Sequence, residues 1–269
     1  MPDSRRPAPV ELETLAIDAA TRAADLLLDG LHQQRTAVRT KSSGTDMVTE
    51  MDQAAEALLV DVLLRARPDD GVLGEEGTDR PGTSGVRWII DPLDGTTNYL
   101  YRHPGFGVSV AAAVDDVVVA GAVVDAVRGQ VFSAAAGAGA RRDGTAVAVS
   151  GADDLATALV ATGFSYDPER RRRQAGVLVE VLPRVRDIRR MGAAAVDLCS
   201  VSCGVVDAFY ERGLAPWDLA AGCLIAAEAG AVVTDLAGDA PSGAFVLAAA
   251  PAIAGPLRDL LRLAGAGEA

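Results

Sequence analysis

Between positions 10 and 31 apolar residues return at helical spacing, at Leu12, Leu15, Ile17, Ala20, Ala24, Leu27 and Leu28, with Gly30 near the end. This pattern predicts an amphipathic helix. A second helix is expected over 51–66, opened near Thr49 and stopped before Pro68. The period then changes. Short apolar runs at 71–73, 87–91, 107–114, 117–125 and 130–135 read as strands, and Asp115-Asp116 between two valine-rich runs reads as a hairpin turn. A turn-rich connector at 137–144 precedes a further expected strand at 145–150. In the second half strands are expected at 158–162, 185–189, 206–210, 231–235 and 245–249, and helices at 169–182, 193–203, 218–229 and 251–263. There is no internal repeat, coiled coil or long linker. An antiparallel-rich first half before a mixed second half points to an α+β fold of layered helices and sheets.

The pattern breaks most sharply after Trp88-Ile89-Ile90, where a buried-strand signature ends in Asp91-Pro92-Leu93-Asp94. Pro92 cannot donate to a sheet ladder, so the strand is expected to stop at Asp91. Two acids at the end of a buried strand need compensation, because an unpaired buried carboxylate is very costly. A hard cation such as Mg²⁺ supplies it through carboxylate and carbonyl oxygen. Gly95-Thr96-Thr97 follows at once, a turn whose backbone N–H groups could open a helix and cradle phosphate. Metal-binding acids beside an anion cradle suggest phosphoryl chemistry. The bland alternative is a solvated Asp-Gly turn.

Composition narrows the field. The 269 residues are 49% hydrophobic but only 4% aromatic, so the core is built from small aliphatic side chains. The net charge of −12 argues against non-specific binding to nucleic acid or to an anionic membrane. No apolar run approaches a membrane span, and the polar, Pro-rich segment 1–9 reads as a frayed tail and not a signal peptide. Cys199, Cys203 and Cys223 are odd in number and read as reduced, buried small hydrophobes, which favours the cytoplasm. With only His32 and His103 present, a zinc hydrolase or a Ser-His-Asp triad is disfavoured. Arg170 to Arg173 read as an anion-binding face, a dimer contact or a solvated face. Arg189 and Arg190 either bring positive charge near the site or are solvated.

Asp91-Pro92-Leu93-Asp94-Gly95-Thr96-Thr97 resembles the signature of the inositol monophosphatase family, the Mg²⁺-dependent, lithium-sensitive sugar phosphatases. Further elements appear in the family's order. Lys41-Ser42-Ser43 and the run Asp46 to Asp52 are similar to its Lys-Ser and Asp-x-Val-Thr-x-x-Asp segments. Gly74-Glu75-Glu76-Gly77 is similar to its metal-ligand loop, and Trp217-Asp218-Leu219-Ala220-Ala221-Gly222 to its second signature.

This resemblance implies an α/β/α/β/α sandwich formed by a single domain over 10–269, with the site between halves of about 10–150 and 151–269. It implies two to three Mg²⁺ ions. Glu75, Asp91 and the Leu93 carbonyl would bind one, and Asp91, Asp94 and Asp218 a second, with a third, weaker ion near Glu75. Asp52 with Thr96 would orient the attacking water, and Gly95 and Thr96 would hold phosphate. Gly192, Ala193, Ala194 and Glu211 would contact substrate. Lys41 reads as a contact to phosphate or to a metal-bound water network, or as a solvated lysine, and Asp218 also as a helix N-cap. Ala193 stands where relatives carry a hydroxyl, which puts strict inositol specificity in doubt. The implied activity is hydrolysis of myo-inositol 1-phosphate or a similar small polyol phosphate by metal-activated water, in a lithium-sensitive homodimer. Fructose 1,6-bisphosphate, histidinol phosphate, a nucleotide 3′-phosphate or NADP are alternative substrates. A regulatory protein on a phosphatase scaffold is the alternative from another class.

Overall fold

The computed structural model describes residues 7–31, 38–40 and 47–268. Lys41, Ser42, Ser43, Asp46 and residues 1–6 of the expected tail lie outside the described residues. The first elements are α1 (Pro9–Gly30), β1 (Val38–Thr40), β2 (Met47–Thr49), α2 (Glu50–Ala66), β3 (Gly71–Gly74), β4 (Asp79–Arg80), β5 (Val86–Asp94) and α3 (Thr96–Tyr101). The meander β6 (Gly107–Val114), β7 (Val117–Asp125), β8 (Gln130–Ala135), β9 (Ala140–Arg142) and β10 (Thr145–Ala146) follows. The second half holds β11 (Leu159–Thr162), α4 (Pro168–Val181), β12 (Asp187–Arg189), α5 (Ala194–Ser202) and β13 (Ala208–Glu211). It ends with α6 (Pro216–Glu228), β14 (Val232–Thr234), β15 (Val246–Ala249) and α7 (Pro251–Leu263).

Hydrogen bonding joins the strands into an eight-stranded sheet, β10-β9-β8-β7-β6-β5-β3-β4, a five-stranded sheet, β12-β11-β13-β15-β14, and the short β1–β2 pair. Side-chain alternation then dictates the layers. Val108, Val110 and Ala112 of β6 pack with Leu12, Ala16 and Leu27 of α1 and with Leu59 and Leu63 of α2. Ala111, between them in sequence, faces the other way, onto Ala195 and Cys199 of α5 and Ala221 and Ile225 of α6. The second sheet repeats the device. Phe209 of β13 packs toward Leu198 and Leu219, whereas Ala208 and Tyr210 pack with Val177 of α4 and Ile253 and Leu257 of α7. Both sheets are thus covered on both faces, with α5 and α6 between them, in the α/β/α/β/α order that the resemblance implies.

Small side chains set the spacing. A Cβ on Gly121 would stand 3.0 Å from Cα of Ala221, so β7 and α6 meet at glycine and alanine with no room for more. Asp115 and Asp116 both adopt positive φ, 49° and 65°, and close the expected two-residue hairpin.

Three expectations need correction. Strand β5 does not stop at Asp91; it continues through Pro92 to Asp94. Its register shifts between Asp91, opposite Ser109, and Asp94, opposite Gly107. That shift is a bulge, which seats Pro92 where the ladder needs no N–H. The strand expected over 145–150 shrinks to Thr145–Ala146. Helix α6 begins at Pro216, which makes Asp218 its third residue and not its cap. The three cysteines are free, with Cys199 buried. Among the described residues, no helix is long and apolar enough to cross a membrane.

Candidate active site

The bulge of β5 and the start of α6 face the same hollow. Glu75, Asp91, Leu93, Asp94 and Asp218 line one cavity of about 350 Å³, and Gly95, Thr96, Gly192, Ala193, Ala194 and Glu211 complete its wall. Backbone amides fix each acid of the floor. Asp91 Oδ1 accepts from Leu93 N at 2.9 Å. The Asp94 carboxylate accepts from Ala194 N at 3.1 Å and Ala195 N at 2.8 Å, the first turn of α5, where a helix favours negative charge. Ala194, among the residues expected to contact substrate, lends its amide to Asp94. Asp218 reaches back from the third helical position to accept from Ala215 N at 2.6 Å. Gly95 turns the chain between acids and helix at φ 91°, and a Cβ there would stand 3.0 Å from the Gly105 carbonyl oxygen.

The acids disturb one another. Burial, then the charges of Glu75, Asp94 and Asp218, raises the Asp91 carboxyl well above the usual range, and the Asp91 side chain hydrogen-bonds with Glu75. Burial pushes Asp94 up to about 7, against the pull of the α5 amides. Burial and then Asp94 push Asp218 up to about 8. Glu211 is also raised to about 8, by burial first and then by Asp218. A set of hard oxygen donors that resists charging in this way fits divalent cations. Among the described residues no three His, Cys, Asp or Glu side chains already enclose a metal-sized point. Water or substrate oxygen would complete the coordination, as Mg²⁺ ordinarily requires.

Beside this floor Thr96 Oγ1 donates to Asp52 Oδ1 at 3.1 Å and lies 3.2 Å from the Leu93 carbonyl oxygen. Thr96 lines the cavity. Asp52 stands behind it, only 1% exposed, so the carboxylate reaches the cavity through the hydroxyl.

The sequence profile of the Inositol monophosphatase family matches residues 9–264. The chain belongs to that family. It is 51% identical over 232 residues to an inositol-1-monophosphatase of Mycobacterium leprae, covering 82% of this chain and 80% of the relative. It is 37% identical over 229 residues to the protein named Nus factor SuhB of Escherichia coli K12, covering 83% and 85%. The crystal structure of the extragenic suppressor protein SuhB from Bartonella henselae superposes with a TM-score of 0.89 at 34% identity, over 93% of this chain and 97% of that one. Family membership makes the chain a phosphoric monoester hydrolase.

The structure adds two residues that the family motifs do not mark. Glu56 of α2 is 5% exposed. Its carboxylate accepts from Glu76 N at 2.7 Å, Thr78 N at 3.0 Å and Thr78 Oγ1 at 2.6 Å. It therefore clamps the loop that carries Glu75, and Gly74 leaves the space the clamp occupies. Asn98 of α3 donates from Nδ2 to the carbonyls of Gly105 at 2.6 Å and Met191 at 2.8 Å, joining the loop after α3 to the loop before α5. On the helical wheel Glu56 reads as one more solvated acid. Only its position after Asp52 on the inward face of the same helix could have flagged it.

Proposed function

We propose that the chain is a Mg²⁺-dependent phosphomonoesterase acting on myo-inositol 1-phosphate or a similar small polyol phosphate. The observation that carries this reading is the convergence of Glu75, Asp91, Asp94 and Asp218 on one cavity, beside the Asp52–Thr96 pair. Glu75, Asp91, the Leu93 carbonyl, Asp94 and Asp218 would hold two to three Mg²⁺ ions. Bound there, Mg²⁺ would supply positive charge to the ester phosphate and lower the pKa of water. The protein's own groups do the rest. Asp52 holds the Thr96 hydroxyl as an acceptor and relay for the proton of the attacking water. The turn at Gly95 and Thr96 presents backbone N–H groups to phosphate, and Glu211 meets a polyol hydroxyl. Water attacks phosphorus in line, with no covalent enzyme intermediate.

The substrate follows from the Mycobacterium leprae relative's name and from Glu211. Ala193, lacking a hydroxyl, leaves the specificity broad. The reading also takes the protein as a homodimer, as the resemblance implies, and as a cytoplasmic protein that binds neither nucleic acid nor membrane, on the strength of its free cysteines and acidic charge. A purely regulatory scaffold is disfavoured because every acid of the site is kept. The test is phosphate release from inositol 1-phosphate, fructose 1,6-bisphosphate, histidinol phosphate, adenosine 3′,5′-bisphosphate and NADP, with Mg²⁺ or with EDTA. Mg²⁺-dependent release from one or more is expected. No release from any ester would sink the reading.

Three outcomes follow from the geometry. Thr96→Ala should lower kcat by about 10²-fold with KM little changed, and Thr96→Ser should restore most of it; an unaltered kcat for Thr96→Ala would remove the hydroxyl from the proton path. Glu56→Gln should raise the Mg²⁺ concentration for half-saturation by about 10-fold, as lost support behind a ligand does; calorimetric titration showing unaltered Mg²⁺ affinity would relegate Glu56 to the fold alone.

The third concerns pH. Asp94 and Asp218 titrate near 7 and 8 in the metal-free fold, against about 4 when unfolded. Their contribution to stability is full below about pH 4 and is lost as pH rises through 7 to 8. In EDTA the melting temperature should fall between pH 6 and 8.5. Mg²⁺ should raise it more at pH 8.5, where fewer protons must be displaced. Equal Mg²⁺ shifts at both values would contradict this.

A further inference from the structure

Aromatic side chains are scarce in this chain, at 4% of residues, and most of them lie in the cores. Among the described residues four escape burial: Tyr101, Phe164, Tyr166 and Trp217. Three of these, Phe164, Tyr166 and Trp217, line the cavity that holds the acidic floor. Rings that served only the fold would be buried in it, as Trp88 and Phe209 are. Apolar surface gathered at one polar cavity is instead the mark of a ligand with an apolar side.

The backbone puts the rings where the alcohol of the ester would sit. Strands β11 and β13 run parallel and pair Thr162 with Tyr210, so Gly163 and Glu211 leave the sheet side by side. A Cβ on Gly163 would collide with the Glu211 carboxylate. Phe164 and Tyr166 therefore follow directly beside the group that meets a polyol hydroxyl. Trp217 joins them from the first turn of α6, one residue before Asp218. The wall is also held in place. Ser165, between the first two rings, donates from N to the buried Gln174 at 2.8 Å. Its carbonyl accepts from Arg171 Nε at 2.9 Å and its Oγ from Asp167 N at 3.1 Å. The Trp217 carbonyl accepts from Ser109 Oγ at 3.2 Å. Neither Phe164 nor Trp217 takes part in a ring–ring contact among the described residues.

We propose that Phe164, Tyr166 and Trp217 determine specificity as an aromatic wall for the carbon face of the alcohol. Esters whose alcohol carries a broad apolar face, as a ring does, are then preferred to esters of small open-chain alcohols. The proposal deepens the phosphatase reading above and rests on it. The floor recognises phosphate by charge and Glu211 recognises a hydroxyl; neither distinguishes a ring from a short chain. The face of an aromatic ring is negative and attracts the C–H groups that a cyclic alcohol presents, and their contact releases water from both surfaces. Because the wall is anchored before substrate arrives, little of that gain is lost to ordering it.

The experiment is steady-state kinetics with Mg²⁺ on cyclohexyl phosphate and isopropyl phosphate. Both are esters of secondary alcohols, and neither offers a hydroxyl to Glu211, so the pair reads the wall alone. Wild type is compared with Phe164→Leu, Tyr166→Leu, Trp217→Leu and Trp217→Phe, leucine keeping apolar bulk while removing the ring face. Binding of the same two esters is measured by calorimetry with Ca²⁺ in place of Mg²⁺. Wild type should favour the cyclohexyl ester by about tenfold or more in kcat/KM, as extra methylenes in an apolar site do. Phe164→Leu and Trp217→Leu should each lose about threefold or more of that preference, chiefly through KM, while Trp217→Phe keeps most of it. No preference in wild type, or a preference that none of the leucine variants alters, would overturn the wall. If neither ester is hydrolysed, calorimetry decides. Tighter, ring-dependent binding of the cyclohexyl ester upholds the wall whatever the fate of the hydrolytic reading, which the ester panel above judges separately. No difference in binding between the two esters sinks it.

Discussion

Asp91→Asn should cost about 10³-fold or more in Mg²⁺-dependent turnover while the metal-free protein becomes harder to melt. Both halves follow from one position. Asp91 is 1% exposed and is raised by burial and by three neighbouring acids, so its charge is a burden to the empty fold. Asparagine keeps an oxygen for the Leu93 amide, 2.9 Å away, and its NH₂ can donate to Glu75, so no buried donor is orphaned. The same replacement removes the acid expected to bridge two cations, and a preorganised electrostatic contribution of that kind is worth about 10²–10³-fold or more. The two readouts are initial rates at saturating Mg²⁺ and a thermal melt in EDTA. A variant retaining a tenth of the rate would remove Asp91 from the reaction. A variant that melts earlier would show that the carboxylate serves the fold.

Trp88→Ala should remove about 3–5 kcal/mol of folding stability, a large share of the roughly 5–15 kcal/mol that a domain possesses. Trp88 is fully buried between β5 and the helices α1 and α2. Its Nε1 donates to Asp70 Oδ2 at 2.9 Å, and Asp70, itself 1% exposed, also accepts from Arg67 Nε at 2.6 Å and Ser84 Oγ at 2.6 Å. Truncation therefore opens a cavity and takes one donor from a buried carboxylate. Trp88→Phe keeps most of the volume and leaves Arg67 and Ser84 in place, so it should cost far less. Urea unfolding followed by circular dichroism separates the two. A midpoint for Trp88→Ala within error of wild type would mean that the site collapses around the gap.

These two residues also show what the sequence could and could not convey. Trp88 read as buried because an apolar, β-branched run admits little else, and β6, β7 and β8 fell at their expected limits because short turns, Asp115-Asp116 among them, punctuate them. Asp91 and Asp94 stood out because two acids at the end of such a run demand a partner. What escaped was set by tertiary contact. A proline rule placed the end of β5 at Asp91, but pairing with β6 absorbs Pro92 into a bulge. Glu56 is chemically indistinguishable from the solvated acids around it until the loop at 76–78 folds onto its carboxylate.

The central helices α5 and α6 carry a further implication. They are sealed between two sheets, and Gly121 against Ala221 leaves no slack at that contact. The amides that hold Asp94 and the carboxylate of Asp218 thus belong to a layer that cannot shift without repacking both neighbours. Sequence change is easier instead at the cavity's edge, where Phe164 and Tyr166 belong to none of the hydrophobic cores. Descendants of this chain would accordingly inherit the chemistry as a block and diversify by diet.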